Sequence, residues 1–218
     1  MKNKKADLLN LWNNISMRDD ERSFESLFYL LNEPLIRFCN IYVHQKEAAE
    51  EIVSDVFCKC WMKRKELTEI QNLEAYLFVA VKNQSLNYNK KSSNILLTEI
   101  DETDELKFAD LFNPQDELEK KELLFLLDEA IATLPLQCRL IFILVKEDEL
   151  SYKEAAKILN ISPATVKTQL YRAVKKLDTA LSAHLSRASN PKRRQMVLKI
   201  IVLCYFIKII FTACEPFC

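Results

Sequence analysis

Apolar residues return along much of this chain at steps of three and four, the spacing of one helical face. Phe24, Leu27, Phe28, Leu31, Leu35 and Phe38 make the first stripe, with Pro34 as a candidate bend inside it. The second is cleaner. Ala49, Ile52, Val53, Val56, Phe57, Cys60 and Trp61 line one side, while Glu47, Glu50, Glu51, Ser54 and Asp55 occupy the other. A polar stretch from Lys63 to Gln71 breaks the period. Asn72 then reads as the N-cap of a third helix with Leu73, Tyr76, Leu77 and Ala80 inward, ending in a polar, basic tail from Asn83 to Lys91. From Ser92 to about Gln115 the pattern is mixed and acidic and contains Pro114, which predicts a linker. Helical periodicity resumes with Leu123, Leu124, Leu127, Ala130 and Ile131, and after Pro135 with Leu136, Leu140, Ile141 and Leu144.

The sharpest local pattern lies between Leu150 and Leu177. Ser151 and Glu154 form a capping-box pair that opens a short helix with Ala155, Ile158 and Leu159 inward. Asn160 and Ile161 break it, and Ser162-Pro163 restarts a helix with Ser as N-cap and Pro in the first turn. This second helix is expected to bury Val166, Leu170, Ala173, Val174, Leu177 and Leu181. Its other face carries Ala164, Thr165, Lys167, Thr168, Tyr171, Arg172 and Lys175. A short helix, a capped turn and a second helix with a basic, hydrogen-bonding face suit a recognition helix in the DNA major groove. An ordinary helical hairpin with a solvated basic face is the plainer alternative.

Composition narrows the classes. The 218 residues contain no glycine, which argues against folds that need it at strand-to-helix turns or around phosphates. Turns are then left to Asn, Ser, Asp and Pro. Basic and acidic residues number 31 each, so the net charge is zero, but they are segregated. Lys153 to Lys176 carries a local charge of +5, and Glu99 to Glu122 a local charge of −7. The seven cysteines include no CxxC and follow no secretory signal, so a cytoplasmic protein with reduced thiols is expected. Cys58 and Cys60, with His44, invite a metal reading, but the pair falls within an apolar stripe and is assigned to packing. No nucleophile–base pair, metal site or phosphate loop calls for an enzyme, and no cofactor is expected.

The runs Leu134 to Phe142, Leu150 to Ala156 and Ile161 to Ala173 resemble region 4 of extracytoplasmic-function (ECF) sigma factors, of the sigma-70 family. Phe24 to Phe28, Ala49 to Phe57 and Asn72 to Phe78 are similar to region 2 of the same family. The resemblance covers about Asp19 to Leu185, with both halves in order. Ala75-Tyr76-Leu77-Phe78 and Lys82-Asn83 look closest to the group abundant in Bacteroidetes. It implies an all-α chain of two small helical domains: region 2 over 19–91, an acidic linker over 92–115, region 4 over 116–187, and a tail over 188–218.

On this resemblance Glu50, Glu51, Ser54 and Asp55 would grip the clamp helices of the polymerase β′ subunit. The loop from about Lys65 to Gln71 and the Asn72 helix would read the minus-ten element, where a base leaves the stack. Lys82, Asn83, Asn87, Tyr88, Lys90 and Lys91 would contact the non-template strand. Thr165, Lys167, Thr168, Gln169, Tyr171, Arg172 and Lys175 would serve the minus-thirty-five element. The acidic linker would lie in the RNA-exit path. Implied partners are core RNA polymerase (β′ clamp helices and β flap), promoter DNA and an anti-sigma factor. A helix-turn-helix regulator that never joins the polymerase is the alternative. An RNA-binding helical module is a third class.

The tail leaves the family pattern. After Pro191-Lys192-Arg193-Arg194 comes a hydrophobic run of 19 residues, Met196 to Cys214, which is expected to form a C-terminal hydrophobic helix and approaches a bilayer span. Lys199 and Lys208 oppose that reading, each costing up to roughly 3 kcal/mol near a bilayer centre. A contact with the inner membrane is expected slightly ahead of docking on a partner or packing on the protein itself.

Overall fold

A computed structural model describes residues 2–68, 70–95 and 127–187. The fold is all-α, and every regular element among the described residues is helical. The helices are α1 (Lys2–Arg18), α2 (Glu21–Val43), α3 (Lys46–Met62), α4 (Leu73–Ile95), α5 (Leu136–Phe142), α6 (Tyr152–Leu159) and α7 (Pro163–Arg187). A helical stretch also covers 127–132, and a π-helical turn, Ile143–Glu147, follows α5. The described residues fall into two compact units. The first holds 2–95 with 143–163, and the second holds 127–142 with 164–187, so the expected domain 116–187 has residues in both.

In the first unit α2 is the central strut. Its stripe of Leu27, Leu31, Leu35 and Phe38 is fully buried against α3 and α4, and the helix continues through Pro34. Phe38 meets Phe78 of α4 edge-on at 5.1 Å, while Phe28 and Phe24 meet Phe57 and Trp61 of α3 at 4.9 Å each. Ala49, Ile52, Val53, Val56, Phe57 and Cys60 are buried on α3, and Trp61 is half-buried. Asn72 caps α4 as expected, its Oδ1 accepting the Ala75 N–H at 2.9 Å.

Several expectations need correction. The N-terminal segment, to which the sequence pattern assigns no element, is a helix with Leu8, Trp12 and Ile15 buried at i, i+4 and i+7. Tyr76, expected inward, is 38% exposed, and Phe78 and Val81 fill the core instead. Leu136 is exposed while Cys138 is buried. Cys58 is exposed although Cys60 is buried, because residues two apart on a helix point roughly 200° apart. Among the described residues no cluster of three or more ligating side chains is present. Helix α4 runs to Ile95, beyond the expected boundary at Lys91.

Among the described residues no helix is long and apolar enough to cross a membrane. The hydrophobic run 196–214, with its expected helix and membrane contact, lies outside the described residues, as does the rest of the expected linker.

Candidate nucleic-acid interface

The helix-turn-helix segment is built by its caps. Ser151 and Glu154 close the expected capping box on α6. Asn160 ends α6 in the left-handed region at φ 57°, its N–H bonding the Ala156 carbonyl, and α7 starts at Pro163. On α7, Val166, Leu170, Ala173, Val174 and Leu177 are buried. Ala164, Thr168, Tyr171, Arg172 and Lys175 are all exposed. At roughly 100° per residue these five form one face, with Thr165 and Lys167 on its flanks. Thr168 anchors its hydroxyl to the Ala164 carbonyl at 3.1 Å. Gln169 is turned away: its Oε1 accepts from the Cys138 thiol at 3.2 Å. Burial raises that thiol's pKa, against the lowering pull of Lys176 and Arg172.

The polar end of α4 makes a second face. Asn83, Asn87, Lys90 and Lys91 are exposed and share one side of the helix. Lys82 and Tyr88 flank it, half-buried. The Tyr88 hydroxyl donates to Gln45 Oε1 at 3.1 Å. Lys82 Nζ donates to the Ile158 carbonyl at 2.5 Å, and burial lowers its pKa. That carbonyl sits in the last turn of α6, where the helix dipole is negative and intrahelical donors have run out. In this arrangement the ammonium expected on DNA caps a helix.

The other end of α6 is held just as firmly. Burial alone would raise the Glu154 pKa, but hydrogen bonds from Lys5 and Ser151 outweigh it and leave the carboxyl low. Lys5 Nζ and Asn72 Nδ2 both reach Glu154 Oε1, at 2.6 and 2.5 Å. Beside α6, Asp148 is buried against Arg37, whose Nη2 donates to Oδ1 at 3.2 Å. Its Oδ2 has no hydrogen-bond partner. Burial pushes this carboxyl up to about 7, more than Arg37 lowers it.

On α3 the expected acidic face is exposed throughout: Glu47, Glu50, Glu51, Ser54 and Asp55. Lys46 and Lys59 pair with Glu50 and Asp55 at 3.7 and 3.5 Å, contacts at exposed sites that leave the face open. Between α3 and α4, residues 63–68 run in turns that present Lys63, Lys65, Glu66 and Thr68 to solvent. Arg64 lies over the Trp61 ring at 4.2 Å and bonds Asp19 Oδ1 at 2.6 Å. Lys65 meets Asp19 Oδ2 at 3.0 Å. Hydrogen bonds from Lys65 and then Arg64 hold the Asp19 carboxyl below its ordinary pKa. The Trp12 indole N–H donates to the Leu67 carbonyl at 3.0 Å. Neither Asp19 nor Trp12 stands out as a support in the sequence. The i, i+4, i+7 spacing of Leu8, Trp12 and Ile15 is the one signal that points to them.

The family model described as "Sigma-70, region 4" matches residues 124–177, which include α6 and the basic face of α7. The ECF RNA polymerase sigma factor SigW of Bacillus subtilis is 25% identical over 162 residues, covering 71% of this chain and 87% of its own. SigM of the same organism, also an ECF sigma factor, is 24% identical over 155 residues, covering 71% and 93%. Among solved structures, CnrH with the cytosolic domain of CnrY aligns with a TM-score of 0.53 at 18% identity, covering 81% of this chain and 98% of that one. RpoE with the anti-sigma factor NepR from Bartonella quintana gives 0.53 at 23%, covering 74% and 98%. The structural likenesses show the fold. The sequence relatives reach well beyond region 4 into the α1–α4 unit. With a region 4 match on the basic helix and ECF relatives covering 71% of the chain, this protein is similar to the ECF group of RNA polymerase sigma factors.

Proposed function

We propose that this sigma factor directs core RNA polymerase to its promoters through three separate surfaces. The exposed face of α7, centred on Thr168, Arg172 and Lys175 with Lys167 beside it, is the minus-thirty-five reader. Arg and Lys reach guanine edges in the major groove, and the Tyr171 ring and Thr168 methyl offer apolar contact. The observation that carries this reading is that an exposed basic helix face falls inside the region 4 match. The acidic face of α3 is the docking surface for the basic side of the polymerase clamp. The turns at 63–68 and the Asn83–Lys91 face of α4 serve the minus-ten element and the separated strand.

Each assignment uses non-covalent chemistry: charge, hydrogen bonds and stacking. A regulator that acts without polymerase is not favoured, because the relatives that span most of the chain are sigma factors. One aligned structure holds the sigma factor RpoE with the anti-sigma factor NepR, and the other CnrH with the cytosolic domain of CnrY, which supports an anti-sigma partner for this chain too.

The test is transcription in vitro with core polymerase, with start sites mapped by sequencing. Arg172→Ala and Lys167→Ala should each lower use of the mapped promoters about tenfold or more, as expected when roughly 1–3 kcal/mol of base recognition is removed, with core binding retained. Glu50→Lys with Glu51→Lys should do the reverse, abolishing core capture while duplex binding persists. Unchanged transcription in the α7 variants would remove the recognition-helix assignment.

A further inference from the structure

We infer that Trp12 is a positioning residue for promoter recognition: its indole N–H fixes the height of the 63–68 turns through the Leu67 carbonyl. The inference rests on the proposal that these turns read the minus-ten element.

The backbone bonds of the segment are short-range. Arg64 bonds back to Trp61, Glu66 and Leu67 to Lys63, and Ile70 to Leu67, each spanning three or four residues. Such bonds set local curvature but do not place the segment against the rest of the molecule. Besides Arg64 lying over Trp61 of α3, placement comes from side chains of α1 and the turn after it. Asp19 takes Arg64 and Lys65 at the start of the segment, in exposed contacts that salt and water weaken. Trp12 takes the Leu67 carbonyl further along, and the ring is fully buried.

An indole N–H is a donor only, so once buried it needs an acceptor, and here that acceptor is the Leu67 carbonyl. A donor rooted in a core ring therefore sets where the Leu67 backbone lies. The neighbours Lys65, Glu66 and Thr68 are exposed and take their positions from that backbone. Reading a base by hydrogen bonds tolerates little displacement. Loosening this single tie should therefore blur discrimination more than it weakens folding or polymerase capture.

The donor is removed in two ways in the full chain: Trp12→Phe, and replacement of Trp12 by benzothienylalanine, which has sulfur in place of the indole N–H at nearly the same shape. Holoenzyme is reconstituted, and binding is read on fork-junction DNA built from a start-site-mapped promoter and its single-base minus-ten variants. Permanganate reactivity of the minus-ten thymines reports opening. The expected result is a drop in discrimination between correct and altered minus-ten bases of about 3- to 10-fold, the scale of one hydrogen bond. Core affinity and the minus-thirty-five preference should be unchanged. Because the benzothienyl variant keeps the packing, it answers the question even if Trp12→Phe fails to fold.

Undiminished discrimination in the benzothienyl variant overturns the role of Trp12. A uniform weakening over all DNA variants also overturns it, since that marks a merely structural residue. Lys65→Ala and Thr68→Ala report separately on the underlying reading. If neither alters minus-ten preference, the assignment of the turns fails, whatever Trp12 does.

Discussion

Asp148 carries the least comfortable charge among the described side chains. It has one guanidinium contact, an Oδ2 without a partner, Glu147 and Glu74 adding repulsion, and Lys4 with Arg37 on the favourable side. With its pKa raised to about 7 from 3.8, the folded protein holds this proton more tightly than the unfolded chain does. Its stabilising contribution is therefore complete below pH 3.8 and disappears as pH rises through about 7. Asp19, Asp20 and Glu154 shift downward, so their contributions fade only at more acid pH and leave this window clear. Asp148→Asn keeps an acceptor for Arg37 and cannot ionise. Urea midpoints measured from pH 5 to 8 should show the wild type losing stability relative to that variant. The slope should be at most about 1.4 kcal/mol per pH unit, flattening above pH 7. Parallel curves would show that Asp148 does not titrate in this range. Nothing in the hydrophobic pattern announces this residue, since its burial depends on which helix packs over it.

At the scale of elements, the absence of glycine has a structural cost. Asp19, His44, Glu149 and Asn160 all sit in the left-handed region at φ 55–57°, where a Cβ crowds the following carbonyl. Asn, Asp and His are found there more often than other non-glycine residues, but all four side chains carry the Cβ that Gly lacks. His44→Gly and Glu149→Gly, both at exposed positions, should each stabilise the fold by roughly 0.5–1 kcal/mol after the entropy of a freer unfolded chain is deducted. Asn160→Gly should be near neutral. Asp19→Gly should destabilise, because its carboxylate holds Arg64 and Lys65. Thermal melts of the four variants check the ranking, and a lower melting temperature in His44→Gly would break it.

The same turns mark the limit of sequence reading. The capping box at Ser151, the Asn72 cap, the Pro163 start and the α3 stripe are legible because each is set by residues within one helical turn. Helix α1 escapes the pattern because its polar residues outnumber the three apolar ones, Leu8, Trp12 and Ile15, that are buried on its inner face. Lys82 reads as a DNA contact and Gln169 as part of the recognition face because flank and face differ by roughly 100°, a difference only packing resolves. That α6 groups with the α1–α4 helices is a long-range choice, made by Lys5, Asn72 and Lys82, and spacing along the chain does not encode it.

For the whole molecule the question is which charge the DNA responds to. The net charge is zero, yet Arg172, Lys175 and Lys176 lie exposed along α7 while Glu50, Glu51 and Asp55 lie exposed along α3. At physiological salt the field of an exposed charge fades over about 8 Å, so a phosphate is governed by the patch it touches. Binding of the chain to a promoter duplex, followed by anisotropy across a salt series, separates local from global electrostatics. If the α7 patch governs, Lys175→Ala with Lys176→Ala should lower the slope of log affinity against log salt by about 0.9 for each phosphate no longer neutralised. Glu50→Gln with Glu51→Gln adds two units of net positive charge to the molecule. A response to total charge would make that variant bind DNA more tightly, with a steeper salt dependence. The patch account predicts an unchanged slope and a defect only in capture of core polymerase. The two acidic substitutions move the net charge in the direction that should help DNA binding, so their silence in the duplex assay is the stronger result.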